Sequence, residues 1–375
     1  MRLAEMLSYA DIEQLHQLAN TYSCSCNVNS KNELIQSLLT SIKKESMIAS
    51  QLEELKPEEF HFLMHLVFDA RTTFSLEDLR AKAKFSFLED LERDMYRSLI
   101  AVALKKGWIF RELSRHAGAS FQVPMDMKKQ WSRAILNKEL KGSDEHAEPT
   151  VYRDEGQALV EDIHVFLKYL KNHETPLTGE GVIYKRNQQQ IMELLAVNED
   201  LIAKGGWRFG YGRHFRDYPD RFSLLYDFCF YRGYINEQHG SFLVATPSAE
   251  EAFQLPVELL GLELYKFWVR VYKRPIPGLP MLTRMVCTAA TTRWLSERSL
   301  VEMLTTRVRK FYYDDPKNII EQRILKMMVH LGLLRKGKLS EEQWGYQTTS
   351  WGSYVMDKVE ASAMKAIVLD KKSNS

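Results

Sequence analysis

An apolar helix that runs into a glycine, then a short strand, a polar stretch and a second strand occurs three times in this chain. The first copy is residues 99–104, then Gly107-Trp108-Ile109-Phe110-Arg111, then Phe121-Gln122-Val123-Pro124. The second is residues 222–231, then Gly233-Tyr234-Ile235, then Gly240-Ser241-Phe242-Leu243-Val244-Ala245. The third is residues 324–331, then Gly332-Leu333-Leu334-Arg335, then Gly345-Tyr346-Gln347-Thr348-Thr349. Glycine stops a helix because it enters the left-handed region without a steric penalty. Three copies of one supersecondary outline point to an array of similar units.

A helix ended by glycine and followed by a two-stranded wing is the outline of a winged-helix unit. The expected fold is therefore mainly α with small β-wings: a tandem winged-helix array preceded by a small helical module. The boundaries expected are 1–45 for that module, 46–141 for the first winged-helix unit and 142–156 for an acidic linker. Then come 157–255 for the second unit, 256–360 for the third and 361–375 for a frayed tail. In the N-terminal module, Ser30 reads as an N-cap with Glu33 completing a capping box. Its helix–loop–helix pattern resembles a SAP-like motif, in which Lys31, Lys43 and Lys44 would be the phosphate contacts; a plain helical hairpin explains it as well. Pro57 reads as the first residue of a helix, Ser75 as a cap, and a third helix is expected over 88–106. Helices are also expected over 297–309 and 317–331.

Bulk properties exclude several classes. A net charge of +2 over 375 residues argues against a strongly cationic DNA-coating protein. The four cysteines, Cys24, Cys26, Cys229 and Cys287, have no zinc-type spacing, and they predict a reduced, intracellular setting. Acid at Glu5 and the lack of a long apolar run predict no secretory leader. No stretch approaches the ~20 apolar residues that span a bilayer, so no membrane role is expected, and the cytoplasm or nucleoid is the expected location.

Near-neutrality hides an uneven distribution. Residues 255–375 hold 20 lysines and arginines against 12 aspartates and glutamates, net +8, whereas residues 161–254 are net −3. Lys266, Arg270, Lys273 and Arg274 sit at helical spacings ahead of the break at Pro275 and Pro277. Arg307, Arg309 and Lys310 are expected to close a helix, and Arg335, Lys336 and Lys338 fall in the third wing. Cations on a helix and a wing are the electrostatic footprint of phosphate contact, although helix ends favour the same residues for their own dipole. A second signal is Gly205-Gly206-Trp207-Arg208-Phe209-Gly210-Tyr211-Gly212-Arg213-His214-Phe215-Arg216. There Arg208, Arg213 and Arg216 alternate with aromatics, a pattern for stacking bases and holding phosphates. A loop whose aromatics plug the core has the same pattern.

Catalytic patterns are weak. His61 and His65 lie one helical turn apart, but Phe62 stands where a zinc protease needs glutamate, so both read as structural histidines. There is no phosphate-binding loop and no nucleophile elbow. No catalytic residue, metal or cofactor is expected. An enzyme reading would need Arg213 and His214 to share a pocket with carboxylates.

The stretch Leu167-Lys168-Tyr169-Leu170 with Pro176-Leu177-Thr178-Gly179-Glu180-Gly181-Val182-Ile183-Tyr184-Lys185-Arg186 resembles a region of helicase-associated domains. These occur beside XPB-type helicases and in stand-alone bacterial proteins. Tyr312-Tyr313-Asp314-Asp315-Pro316, ahead of the last helix and wing, is similar to that family's final winged-helix unit. The resemblance spans about 50–355 and carries no catalytic residue; the helicase motor is missing. It implies a module that binds DNA or positions a helicase. The expected function is a non-enzymatic adaptor that binds DNA, with RNA as an alternative, through its basic C-terminal unit. It would recruit a helicase or another replication, repair or transcription partner. The competing expectation is a protein-interaction scaffold with no nucleic-acid binding.

Overall fold

The computed structural model describes the chain apart from residues 25–26, 28–29, 88–92, 113–119, 143–147, 204–208, 239 and 373–375; for 93–95 and 364–372 it describes the backbone alone. The protein is mainly helical with small antiparallel sheets. It divides into two compact units, residues 1–142 with 356–375, and residues 143–355. Among the described residues no helix is long and apolar enough to cross a membrane.

The first unit begins with α1 (Leu3–Tyr9), α2 (Ile12–Thr21), α3 (Lys31–Lys43) and α4 (Glu45–Glu54). There follow α5 (Pro57–Val67), β1 (Thr73–Ser75), α6 (Leu76–Ser86), α7 (Arg93–Lys105), β2 (Phe110–Arg111), β3 (Ser120–Gln122) and α8 (Met125–Glu139). Ser30 caps its helix, its Oγ accepting from Glu33 N, but the expected capping box does not close because the Ser30 amide donates to the Asn27 carbonyl instead. At Ser75 the box is complete, Ser75 Oγ accepting from Asp78 N and Asp78 accepting from Ser75 N. The sheet order is β1-β3-β2, with Phe74 opposite Phe121. Of the third helix expected over 88–106, residues 88–92 lie outside the described residues, as does the hairpin loop 113–119. Two cations expected as phosphate contacts are engaged inside the unit. Lys31 donates to the carbonyls of Ser8 and Ala10 at 3.1 and 2.9 Å, and Lys43 pairs with Asp126 at 2.9 Å.

The second unit opens with β4 (Tyr152–Arg153), then α9 (Ala158–Asn172), β5 (Thr175–Pro176), α10 (Lys185–Leu194), α11 (Asp220–Tyr231), β6 (Ile235–Gln238) and β7 (Phe242–Ala245). Next come α12 (Ala249–Gln254), α13 (Val257–Tyr272), α14 (Leu279–Ala289), β8 (Leu295–Ser296) and α15 (Glu297–Thr305). A continuous helical run follows: α16 (Pro316–Asn318), a π-helical stretch Ile319–Leu325, and α17 (Lys326–His330). β9 (Leu334–Lys338) and β10 (Trp344–Thr348) follow, and α18 (Ser350–Lys372) begins in this unit and continues into residues that belong to the first. The order helix, strand, two helices, hairpin thus occurs three times, and each time the last strand lies between the other two: β1-β3-β2, β5-β7-β6 and β8-β10-β9.

The three glycine stops are alike in detail. Gly107, Gly233 and Gly332 have φ of 66°, 69° and 69°. Behind each, the next amide reaches back to a carbonyl five residues earlier: Trp108 to Ala103, Tyr234 to Cys229 and Leu333 to Met328, all at 2.8 Å. These bonds satisfy carbonyls that a helix end leaves open.

The two later helices before those glycines are enclosed. Residues 221–229 of α11 are buried on every side, and from Ile319 to His330 only Gln322 is exposed. A helix apolar all round belongs in a core. Their polar residues form an internal ionic seam. The fully buried Arg221 lies 3.2 Å from Glu155 and 2.5 Å from Asp162, and His330 Nδ1 lies 3.1 Å from Glu155. Arg323 reaches Asp314 at 3.1 Å and Asp220 at 3.3 Å, and Lys326 reaches Asp220 at 2.9 Å. Residues 152–155, read from composition as part of a polar linker over 142–156, are instead built into this unit. β4 pairs with β9, and Glu155 is buried because its charge meets Arg221 and His330, far along the chain.

Candidate nucleic-acid interface

Residues 306–315 turn back on themselves. The helix expected over 297–309 ends at Thr305, where two consecutive β-branched residues offer hydroxyls that compete with the backbone; Thr305 Oγ1 takes the Val301 carbonyl at 2.6 Å. Arg307, Arg309 and Lys310 therefore follow a helix rather than close one. Phe311 and Asp314 then exchange two backbone hydrogen bonds, both 3.0 Å, around Tyr312 and Tyr313. Tyr312 has φ of 51°, a conformation that L side chains other than Asn and Asp rarely adopt. Both residues stand in water, 65% and 73% exposed. The turn is anchored by the buried Asp314, which accepts from Arg323 Nε at 3.1 Å, Asn318 Nδ2 at 2.5 Å and Tyr211 OH at 3.2 Å.

Ring contacts join this turn to two other segments. Tyr312 meets Phe311 edge-on at 4.7 Å, Phe311 meets Tyr211 at 5.9 Å, and Tyr211 meets Tyr272, the last residue of α13, at 4.9 Å. Phe209 touches Tyr313 at 5.8 Å and Phe215 at 6.2 Å. The cluster is thus bordered by Lys273 and Arg274 after Tyr272, by Lys310 before Phe311, and by Arg216, whose guanidinium lies 5.6 Å from the Phe215 ring. Lys266, Arg270, Lys273 and Arg274 recur along one face of α13 and its end, and all four are exposed. None of the four has a carboxylate partner among the described residues; Arg270 bonds the Tyr231 hydroxyl and lies 5.1 Å from that ring.

The remaining expected contacts are placed otherwise. Arg335 donates to Gln347 and to Glu148 and lies against the rings of Tyr152 and Trp294, 4.5 and 5.2 Å from their centroids. Lys336 is 3.7 Å from Glu297 and sits over Trp344 and Tyr346. Of the three cations on β9 only Lys338 is exposed. Arg307 turns back to its own helix, bonding the Met303 carbonyl and Thr306 Oγ1. Arg208, with Gly205, Gly206 and Trp207, lies outside the described residues.

Arg213 and His214 do come together with carboxylates. Arg213 Nη1 is 3.2 Å from Glu237, Tyr226 OH donates to the same carboxylate at 2.9 Å, and His214 Nδ1 is 3.5 Å from Asp217. The Arg213 amide donates to Asp227 at 2.9 Å, and burial pushes that carboxyl upward. Gly212 makes this approach feasible: at φ of 108°, a β-carbon there would lie 2.3 Å from Asp227 Oδ2. These contacts join the loop at Arg213 and His214 to α11 and β6. In the first unit, burial and the nearby charge of Lys82 push His65 down to about 3, so it is neutral near pH 7. Among the described residues no group of three or more His, Cys, Asp and Glu is arranged to hold a metal.

The residues expected to form the site are cations, and Tyr312 and Tyr313 are not among them. The signal was present in Arg309-Lys310-Phe311-Tyr312-Tyr313, cations running straight into three aromatics. No protein-family model matches the chain, and no curated protein matches it.

Proposed function

We propose that each of the three repeats is a winged-helix unit and that the chain is a non-enzymatic adaptor that binds DNA or RNA through its phosphates. The observation that carries this is the exposed row Lys266, Arg270, Lys273 and Arg274, without carboxylate partners among the described residues and continuous with an aromatic cluster. Reading of bases by the third helix of the later two units has no support, because both of those helices are enclosed. Contact would then be dominated by the backbone and little dependent on sequence. The test is binding of the full chain to labelled DNA and RNA across a salt series. Affinity that falls steeply as salt rises supports the reading; undetectable binding at low salt ends it.

The enclosed third helices favour a second reading, a rigid scaffold for a helicase or other nucleic-acid enzyme. Capture of one defined partner that survives nuclease treatment would support it.

A further inference from the structure

We propose that the Tyr312–Tyr313 turn is a stacking site for unpaired bases, so that the preferred ligand is single-stranded rather than duplex nucleic acid. This rests on the nucleic-acid reading above and adds the ligand class. A two-residue turn with a left-handed first position ordinarily calls for glycine, asparagine or aspartate. Here that position is Tyr312, at φ of 51°, a residue 65% exposed. A backbone held in a sparsely populated region while presenting a large ring to water is the kind of outlier that accompanies function.

The surroundings fix the ring positions in advance. Asp314 closes the turn and is itself held by Arg323, Asn318 and Tyr211. Phe311 steadies Tyr312 edge-on at 88°, and Phe209 steadies Tyr313 at 70°. Two adjacent rings, both mostly in water, offer faces that any base can stack on, because every base has a π-face. Lys310 adjoins the turn, and Lys273 and Arg274 follow Tyr272, which connects to it through Tyr211 and Phe311. A strand with splayed bases would lay its phosphates against these cations. In a duplex the bases are paired and stacked internally, and the rings have nothing to receive.

The experiment measures binding of the full chain to a labelled oligothymidine and to a duplex of equal length, for the wild type, Tyr312→Gly and Tyr313→Ala. Glycine suits the left-handed position, so Tyr312→Gly removes the ring without disturbing the turn, and an unlowered melting temperature verifies this. Each substitution is expected to lower single-strand affinity about tenfold, with duplex affinity within about twofold and the salt slope unchanged. Unchanged single-strand affinity in both variants overturns the inference, as does an equal loss on duplex. A wild type that binds duplex but not the single strand overturns the inference and leaves the reading standing. A wild type that binds neither overturns both.

Discussion

The carbonyl oxygen of Gly156 stands 1.7 Å from where a β-carbon on Gly332 would be. Gly233 has nearly the same backbone, φ of 69° in both, with nothing within 4 Å of its own β-carbon position. The two glycines thus share a conformational reason for being glycine, and only one has a packing reason as well.

Gly233→Ala is accordingly expected to cost about 1 kcal/mol, the price of a left-handed residue with a side chain. Gly332→Ala is expected to cost about 3 kcal/mol or more, because backbone rather than a flexible side chain must move. Urea unfolding of both variants checks this; equal costs would show that residues 152–156 do not close over the third glycine.

Arg221 faces Glu155 and Asp162 with no exposure to water. Replacing it by methionine leaves the buried Asp162 without its cation and takes one of three partners from Glu155, and is expected to destabilise by about 3–5 kcal/mol. Arg232, at the surface, pairs with Glu251 at 3.0 Å and Glu263 at 3.3 Å, and Arg232→Met is expected to cost under about 1 kcal/mol. Comparable losses in the two unfolding curves would contradict the buried seam.

The same seam makes stability sensitive to acid. Burial opposes the Glu155 carboxylate, but His330, Arg153 and Arg221 outweigh it and hold the group at about 2, below its ordinary 4.5. A depressed carboxylate stabilises the fold above its unfolded value and loses that contribution as pH falls through the folded one. The contribution, on the order of 3 kcal/mol, is thus present above about pH 4.5 and lost toward pH 2. Glu155→Gln is expected to be less stable than wild type at pH 7 and to converge on it near pH 2. Asp69 in the first unit behaves alike: against burial, Lys82 and Arg71 hold it at about 2. Urea midpoints across that pH range are the measurement, and parallel curves for wild type and Glu155→Gln would refute the assignment.

Local signals in the sequence were legible where a residue acts on its neighbours. Ser75 and Asp78 cap a helix, and Gly107, Gly233 and Gly332 end three, because those interactions span only a few positions. Distant partners were not legible. Arg335 is held by Glu148, 187 positions away, and by Gln347, and Glu155 is buried by Arg221, 66 positions away, so neither pairing lies within the reach of local pattern. The burial of α11 was foreshadowed by its apolar run, but not the consequence that it has no face left for a groove. The site was half visible: periodicity put Lys266, Arg270, Lys273 and Arg274 on one face. What sequence spacing cannot supply is the chain of rings from Tyr272 through Tyr211 and Phe311 to Tyr312.

The most direct test of the central claim is the slope of log affinity against log salt for the full chain and for the triple variant Lys266→Ala, Lys273→Ala, Arg274→Ala. Each phosphate contact contributes about 0.9 to the slope on duplex DNA and about 0.7 on a single strand. With three phosphate contacts removed, the triple variant binds more weakly on every sequence and its slope is shallower by about 2–3. A variant whose affinity and slope match the wild type would contradict the claim.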